Sequence, residues 1–430
     1  MATSVDQTSV SQNNTESSLN PGHGAQYDKG VVRVAFLLVT SLFFLWGLSY
    51  GLLDVLNKHF QETLNVSHAQ SGLLQTAYFG AYFLWALPAS YLMEKAGYKV
   101  GIILGLTLYA LGALLFIPAT SVASFSFFLF ALFVIASGLG CLETAANPYV
   151  TVLGPHEGAA RRINLSQSFN GLGQFIGPLI GGAFFFQGDQ AQEAASASDS
   201  VQLVYIVIAV IVVLVAAMFW RTPLPDIRSD ATDEPEHHVV LTQQKHFIGA
   251  VVSQFFYIAA QVGVGAFFIN FVVSRSAEIT SQEGAYLLSV AMLLLLVGRF
   301  SGTALLLKVA PGKLLGIYGA VNTLLVLVAV FVPSSTVSIG ALLGVFFFMS
   351  IMFPTNFALG LNGLGDKTKR AASFLIMAIV GGAIAPFCMG WLSDQFSIEV
   401  AFLIPAGCFA IVTWYGFIGS RLRPVSTASR

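Results

Sequence analysis

Two carboxylic acids follow stretches of sequence that are otherwise apolar. Asp54 comes directly after SLFFLWGLSYGLL (41–53), and Glu143 comes soon after FSFFLFALFVIAS (125–137). If these stretches cross a membrane, an ionised carboxylate costs at least about 2.5 kcal/mol, so it must pair, take up a proton or line a watery cavity. Neither acid has an evident Lys or Arg partner, and an unpaired carboxyl group in an apolar site favours its protonated form. Both are therefore candidate proton carriers; the alternative is a permanently neutral acid bonded to a backbone carbonyl.

Neutral amides accompany Glu143. Asn147 lies one helical turn after it and on the same face, and Pro148 can free backbone carbonyl groups for a ligand or water. The next apolar segment carries amides at helical spacing: Asn164, Gln167, Asn170 and Gln174. Uncharged donors and acceptors in pairs suit the hydroxyl groups of a sugar better than a charged solute. The alternative is hydrogen bonding between helices, with close packing at glycines 171, 173 and 177.

Further polar and aromatic groups extend this candidate binding site. Trp46 lies two turns before Asp54, and an indole face can support the apolar side of a sugar, although a packing role in the core is an equal alternative. The second half of the chain adds polar groups without acids: Gln261, Asn270, Asn322, Thr355 and Asn356. From these two sets we predict that Trp46, Gln261 and Asn356 contribute to substrate binding.

The composition places all of these residues in a membrane. Of 430 residues, 56% are hydrophobic and 10% charged, against about a quarter charged in a soluble domain. Runs such as VQLVYIVIAVIVVLVAAMFW (201–220) are long enough to cross about 30 Å of hydrocarbon as helices. The formal net charge of −1 indicates no nucleic-acid partner. The three cysteines lack metal-ligand spacing, so we predict no metal site.

We predict an all-α polytopic protein whose N-terminal tail (1–30) and C-terminal tail (421–430) are polar. Its six-helix bundles cover 31–221 and 246–420, joined by a polar linker (222–245). The twelve expected helices are 32–60, 69–94, 98–118, 123–153, 163–186, 202–221, 246–274, 282–307, 312–332, 336–360, 370–389 and 396–420.

The distribution of Lys and Arg predicts the orientation. With the N-terminus inside, the inside segments and adjoining helix ends hold all of the 20 Lys and Arg residues except Lys58 and Arg275. Cytoplasmic loops retain positive charge, so we predict that both termini are cytoplasmic.

The two halves carry matching landmarks. Pro148 precedes Gly154 by six residues after the fourth span, as Pro354 precedes Gly360 after the tenth. Arg162 likewise precedes Pro178, and Arg370 precedes Pro386, by 16 residues in both cases. Two matches in register favour a duplicated six-helix unit, which is the build of the major facilitator fold, with substrate bound between the halves.

Three motifs make this indication specific. SLFFLWG (41–47) followed by Asp54, GLGCLETAANPYVTVLGP (138–155) and NLSQSFNGLG (164–173) resemble the fucose–proton symporter family of the major facilitator superfamily. The resemblance extends across essentially all twelve helices and implies sugar uptake coupled to protons through alternating access. It implies that Asp54 is the outer acid of proton translocation and that Glu143 is the central acid linking proton and sugar.

The resemblance also assigns the binding residues. Gln167 and Asn170 match sugar-contacting amides, Trp46 matches a sugar-facing aromatic, and Gln261 matches the glutamine of an Ala-Gln pair in the seventh helix. Three positions depart from the fucose transporters: Gly265 replaces a Trp, Phe353 replaces a Tyr, and Gln174 is an additional amide. We therefore expect a roomier second-half wall and a substrate other than fucose.

The predicted function is import of a neutral monosaccharide, namely a hexose, 6-deoxyhexose or N-acetylhexosamine, with protons as coupling ion and no cofactor. Sodium coupling, facilitated diffusion and a sugar-sensing receptor are the alternatives. An enzyme is not expected, because the chain has no HExxH motif, and no Walker A loop supports ATP-driven transport. We expect a monomer in the bacterial inner membrane, with the lipid bilayer and the sugar as its partners.

Overall fold

The computed structural model describes residues 29–153, 159–186, 194–224, 240–364 and 368–422. These residues form helices and connections without a strand, which confirms the predicted all-α class. The helices are α1 (Lys29–Leu64), α2 (His68–Ala96), α3 (Tyr98–Leu114 and Phe116–Val122), α4 (Phe125–Val152), α5 (Ala159–Phe185), α6 (Ala194–Arg221), α7 (Lys245–Arg275), α8 (Ser281–Leu306), α9 (Pro311–Phe331), α10 (Ser335–Met349 and Met352–Leu361), α11 (Thr368–Met377, Ala378–Val380 and Gly381–Gln395) and α12 (Ile398–Ala401, Leu403–Phe417 and Gly419–Arg421).

All twelve expected helices are present, with ends within a few residues of the prediction for most of them. The largest shift is at α6, which begins at Ala194 rather than 202, because AASASDS (194–200) contains no residue that breaks a helix. The predicted tails and linker fall largely outside the described residues. Of the linker, the structure describes a 3-10 turn, Leu241–Gln243, and its flanking residues.

Ten of these helices are long and apolar enough to cross a membrane, and α2 and α5 are the two that fall short. Both carry polar side chains among their apolar ones, including Gln75 and Thr76 on α2 and Gln167 and Gln174 on α5. Their polarity is explained by position, because α2 packs against α11 and α5 packs against α8 across the middle of the protein. Polar residues on these helices therefore face protein rather than lipid.

The same helix pairings occur in each half of the chain. The first helix packs on the fifth (α1 on α5, α7 on α11), the third on the fourth (α3 on α4, α9 on α10), and the second on the fourth (α2 on α4, α8 on α10). The halves meet mainly through the α2–α11 and α5–α8 pairs. Helices α1 and α7 also meet between the halves.

Glycine residues bring α1 and α5 into backbone contact. A Cβ added to Gly51 would lie 2.7 Å from the Gln174 carbonyl oxygen, and one on Gly177 would lie 2.8 Å from Gly51. Gly173 faces the α1 backbone in the same way, whereas Gly171 faces Leu296 of α8. Close packing at Gly173 and Gly177 is thus a real role of these glycines, while Gly171 serves the contact between the halves.

Helix α10 is interrupted at Ser350 and Ile351, just before Pro354. Proline has no N–H, so the carbonyl group of Ser350 cannot receive the usual helical hydrogen bond from it. The hydroxyl group of the same residue donates to the Phe347 carbonyl oxygen at 2.7 Å. The break sets the direction of the second segment, which carries Phe353 and Asn356.

Candidate functional site

Glu143 and Trp46 line the same narrow cavity between α1 and α4. Its other walls are Leu42, Phe43, Leu142 and Ala146. Both Glu143 and Trp46 are half-buried. Within the described part of the chain, Glu143 has no hydrogen-bond or salt-bridge partner. The structure therefore joins the predicted acid and the predicted aromatic platform in one site, with the carboxyl group available to a ligand.

Two predicted amides extend this site along α4 and α5. Gln167 Nε2 donates to Asn147 Oδ1 at 3.3 Å, and both side chains are half-buried. Asn147 follows Glu143 by one turn, on the same face of α4. The Asn147–Gln167 pair thus presents neutral donors and acceptors one helical turn from the acid.

The other two amides of α5 hold the helices together. Asn170 is buried and donates to the Phe43 carbonyl oxygen of α1 at 3.1 Å. Its Oδ1 accepts from Gln174 Nε2 at 2.7 Å, while Gln174 Oε1 is buried without a partner. In this conformation Asn170 connects α5 to α1, and Gln174 retains one free acceptor.

The second half contributes less to the site than the sequence suggested. Gln261 is half-buried and forms no hydrogen bond with the residues that the structure describes. Asn356 is fully buried and donates to Gln254 Oε1 at 2.7 Å and to the Ala250 carbonyl oxygen at 3.1 Å, both on α7. Because the second segment of α10 packs on α7, Asn356 lies inside the second half here and not on the cavity wall.

Asp54 lies apart from the cavity, in the contact between the halves. Its side chain is fully buried, and both carboxyl oxygens lack a hydrogen-bond partner among the residues that the structure describes. Gln75 of α2 interacts with it, but without standard hydrogen-bond geometry, and Gln75 Nε2 is also unpaired. The two acids therefore occupy different environments, one open to a cavity and the other enclosed.

Gly265 of α7 forms the opposite wall around Asp54. A Cβ at this position would lie 2.7 Å from Asp54 Oδ2 and 3.3 Å from its Cγ. The sequence predicted that loss of a side chain at Gly265 would enlarge the second-half wall of the site. In this conformation the Asp54 carboxyl group occupies the space that a side chain at Gly265 would need. The glycine therefore permits a contact between the halves.

Beyond Asp54, a group of polar residues joins the two halves, and we call it the polar seal: Gln61, His68, Asn270, Ser393 and Asp394. Asn270 Nδ2 donates to Gln61 Oε1 at 2.5 Å and lies 3.2 Å from His68 Nε2. His68 Nδ1 lies 2.7 Å from Ser393 Oγ. Asp394 accepts from the backbone N–H groups of His68 (3.0 Å) and Ala69 (2.9 Å), at the start of α2.

Sequence reasoning missed the polar seal, although one signal was present. Asp54, Asn57 and Gln61 are spaced three and four residues apart and therefore form a polar face along the end of α1. Asn57 bonds to Gln75 Oε1 at 3.0 Å, and Gln61 bonds to Asn57 Oδ1 at 2.7 Å. This face continues from Asp54 to the seal.

Comparison with known proteins identifies the family of the chain. A family model described as the Major Facilitator Superfamily matches residues 37–379. The chain belongs to the Major Facilitator Superfamily. The major facilitator architecture and the multi-pass membrane assignment predicted from the sequence are thereby confirmed.

Two curated relatives and one solved structure of this superfamily are similar over most of their length. The chain is 39% identical to the L-fucose-proton symporter of Escherichia coli over 91% of this chain and 93% of the relative. It is 37% identical to a glucose/galactose transporter of Brucella abortus, over 94% of this chain and 98% of the relative. The crystal structure of FucP, the E. coli fucose:proton symporter, in the outward conformation matches this chain with a TM-score of 0.68 and 38% identity. The match covers 90% of this chain and 99% of FucP.

In a major facilitator protein the halves rock against each other, so contacts of the polar seal should set the conformational equilibrium. We expect Asp394→Ala to open this end of the protein. It removes two hydrogen bonds to a charged acceptor, worth about 1–3 kcal/mol in total at a partly exposed site, or roughly a five- to hundredfold shift in population. The readout is labelling of Thr76→Cys, on α2 two turns below His68, by an impermeant maleimide in a chain whose native cysteines are alanine.

Glu399→Ala is the matched control. Glu399 lies 3.9 Å from Arg275 Nε, both residues belong to the second half, and its exposure is similar to that of Asp394. We expect no change in labelling for this variant. Equal labelling rates for Asp394→Ala and the parent would show that the seal does not hold this end closed.

Proposed function

We propose that this chain is a proton-coupled symporter that imports a neutral monosaccharide across the bacterial inner membrane by alternating access. The observation that carries the proposal is the separation of two unpaired acids, with Glu143 at a cavity beside Trp46 and Asp54 in the enclosed contact between the halves. The similarity to the fucose and glucose/galactose transporters supports a sugar as the substrate. A proton is the coupling ion of the fucose relative.

The environment of Asp54 supports a role for its proton in conformational change. An ionised carboxylate would be fully buried here without a cation or a hydrogen-bond donor, which is strongly unfavourable. Neutral Asp54 fits against Gly265 and allows the halves to close. Loss of the proton favours opening at the polar seal, where the carboxylate regains water. Sugar and proton therefore cross together, while the ionised empty carrier returns.

The environment of Glu143 supports sugar binding. Its free carboxyl group can accept hydrogen bonds from sugar hydroxyls, the Asn147–Gln167 pair supplies neutral donors and acceptors, and the Trp46 indole can cover the apolar face of the ring. Gln174 and Gln261, each with an unused amide group, are further candidates from α5 and α7. Asn170 and Asn356 bond to helices of their own halves, so we assign them to helix packing and not to contact with the sugar.

The proposed orientation places both termini in the cytoplasm and the polar seal outside. The positions of Lys and Arg support this orientation, since Lys58 and Arg275 are the exceptions and both lie at the sealed end. The structure then corresponds to a state closed to the outside, in contrast to the outward conformation of FucP. We propose that the protein works as a monomer with one sugar site.

The test is external pH in a weakly buffered suspension of proteoliposomes. Glucose, galactose, fucose, mannose and N-acetylglucosamine are added in turn, and we expect at least one hexose or hexose derivative to cause alkalinisation that a protonophore abolishes. Labelled-sugar uptake without alkalinisation would favour the alternatives of sodium coupling or facilitated diffusion. Neither uptake nor alkalinisation with any of these sugars would contradict the proposed substrate class.

A further inference from the structure

One face of α2 extends from one acid towards the other. Gln75, Tyr78 and Tyr82 are spaced three and four residues apart and so lie on the same side of the helix. At 1.5 Å per residue, they cover about 10 Å along its axis. Asp54 lies within electrostatic range of Gln75 at one end, and Glu143 lies within electrostatic range of Tyr82 at the other. We call Gln75, Tyr78 and Tyr82 the α2 stripe.

Packing holds the Glu143 end of the stripe in place. A Cβ on Gly140 of α4 would lie 3.5 Å from Tyr82 Cα and 3.7 Å from its ring. Glu143 follows Gly140 by one turn, so it lies on the same side of α4. The Tyr78 and Tyr82 rings stack with centroids 5.4 Å apart and planes at 28°. The two rings therefore pack one after the other beside the part of α4 that carries Glu143.

Tyr50 continues the row of hydroxyl groups to Asp54. It precedes Asp54 by four residues on α1, so the two side chains share a face. It lies within electrostatic range of both Asp54 and Tyr78, and its ring packs edge-on against that of Phe79, with centroids 6.1 Å apart. Three tyrosine side chains thus connect the neighbourhoods of the two acids.

Burial of the polar atoms of this row is energetically unfavourable. In the described ranges of the chain, Tyr78 Oη, Tyr82 Oη and Gln75 Nε2 have no hydrogen-bond partner, and neither do the Asp54 oxygens. Phenylalanine at positions 78 and 82 would keep the rings and avoid the desolvation penalty of the hydroxyls. Packing alone therefore does not account for two tyrosines at these positions.

The enclosed position of Asp54 requires a path for its proton. In this structure the polar seal closes one side of Asp54, and the carboxyl group does not line the cavity that contains Glu143. A symporter must still release the Asp54 proton towards the cytoplasm while that seal is closed. The inference that follows rests on the proposed function.

We propose that the hydroxyl groups of Tyr50, Tyr78 and Tyr82 carry the proton from Asp54 to Glu143. These groups make no hydrogen bonds to one another in this conformation, so small side-chain movements must first bring each within hydrogen-bond distance of the next. The proton then leaves the Asp54 carboxyl group, each hydroxyl takes one proton on its oxygen and passes its own to the next group, and the Glu143 carboxylate accepts the last. Asp54 ends ionised and Glu143 ends neutral, while the tyrosines are unchanged. Glu143 then releases the proton through the cavity after the sugar leaves.

The experiment compares Tyr78→Phe and Tyr82→Phe with the parent protein in proteoliposomes. The sugar is whichever member of the panel above gives the largest alkalinisation with the parent. We expect each variant to slow proton-driven accumulation and alkalinisation by about a hundredfold, the lower end of the contribution of a positioned proton-transfer group. Exchange of labelled for unlabelled sugar, which needs no net proton movement, should be unchanged. Thermal stability in detergent should be equal or higher, because an unpaired hydroxyl has been removed.

Tyr415→Phe is the matched control. Its hydroxyl group is also buried without a partner, but it lies in the second half, with its ring against Gly249. We expect all three readouts to stay at parent levels for this variant. A general effect of removing a buried hydroxyl group would appear here as well.

Each outcome bears on one hypothesis. Normal accumulation in both tyrosine variants, with a parent that shows symport, would overturn the proton path and leave the proposed function intact. An equal loss of accumulation and exchange would assign the hydroxyls to sugar binding or structure and also overturn it. A parent that transports sugar without proton movement would instead remove the proposed coupling itself.

Discussion

Asp54→Asn is expected to abolish accumulation of sugar against a gradient while preserving sugar exchange. Asparagine has nearly the shape of a protonated aspartic acid, so it fits in the buried contact with Gly265 and the halves can still close. Closure no longer needs a proton, so sugar flux is uncoupled from the proton gradient. Loaded carrier still crosses in both directions, which is all that exchange requires.

The measurement is uptake of labelled sugar into proteoliposomes under an inward proton gradient, followed by counterflow without one. Glu62→Gln is the matched control, since it makes the same chemical change two turns further along α1, where Glu62 is exposed and pairs with Lys58 at 3.2 Å. The control should accumulate sugar normally. Accumulation by Asp54→Asn at the parent level would show that Asp54 does not carry the coupling proton.

The second large effect is expected at Glu143, where substitution by Ala and substitution by Gln should have different effects on transport. Glu143→Ala removes the free carboxyl group from the cavity wall, and loss of hydrogen bonds to a charged group costs about 1.5–3 kcal/mol. That cost corresponds to roughly ten- to a hundredfold weaker sugar binding. Glu143→Gln keeps a hydrogen-bonding group and resembles the protonated acid, so it should retain part of the exchange activity while losing accumulation.

Binding of labelled sugar to purified protein, together with counterflow, measures the difference between the two variants. Ser137→Ala is the control on the same helix, because the Ser137 hydroxyl bonds only to the Phe133 carbonyl oxygen of its own helix at 2.7 Å. It should bind sugar like the parent. Full binding by Glu143→Ala would exclude a contact between this acid and the sugar.

The fold could be predicted because its determinants are local in the sequence. Long apolar runs specify the helices, and the Pro and Arg landmarks indicated the duplication, which the repeated pairings α1–α5 and α7–α11 match. Helix ends were less accurate, since polar flanks such as AASASDS can extend a helix without any hydrophobic signal. The interruption of α10 was not anticipated, because a proline can bend a helix as well as break it.

The site could be predicted in part. Asp54 and Glu143 were found because a buried acid in an apolar segment is costly, and that cost is visible in the sequence. The partners of Asn356 and the contacts of the polar seal depend on which helices meet, as His68 and Asp394 are 326 residues apart. Gly265 was noticed as a missing side chain, but only the packing of α1 on α7 reveals that Asp54 fills the space.

The backbone contact between α1 and α5 has a consequence for observing the transport cycle. Because Gly51 and Gly177 bring the two backbones into contact, we expect these two helices to move together as one unit during the cycle. Spectroscopic probes on α1 and α5 would report a constant separation and serve as an internal ruler. Probes paired across α2 and α11 would report the rocking motion directly, so distance measurements in lipid can distinguish movement between the halves from distortion within one.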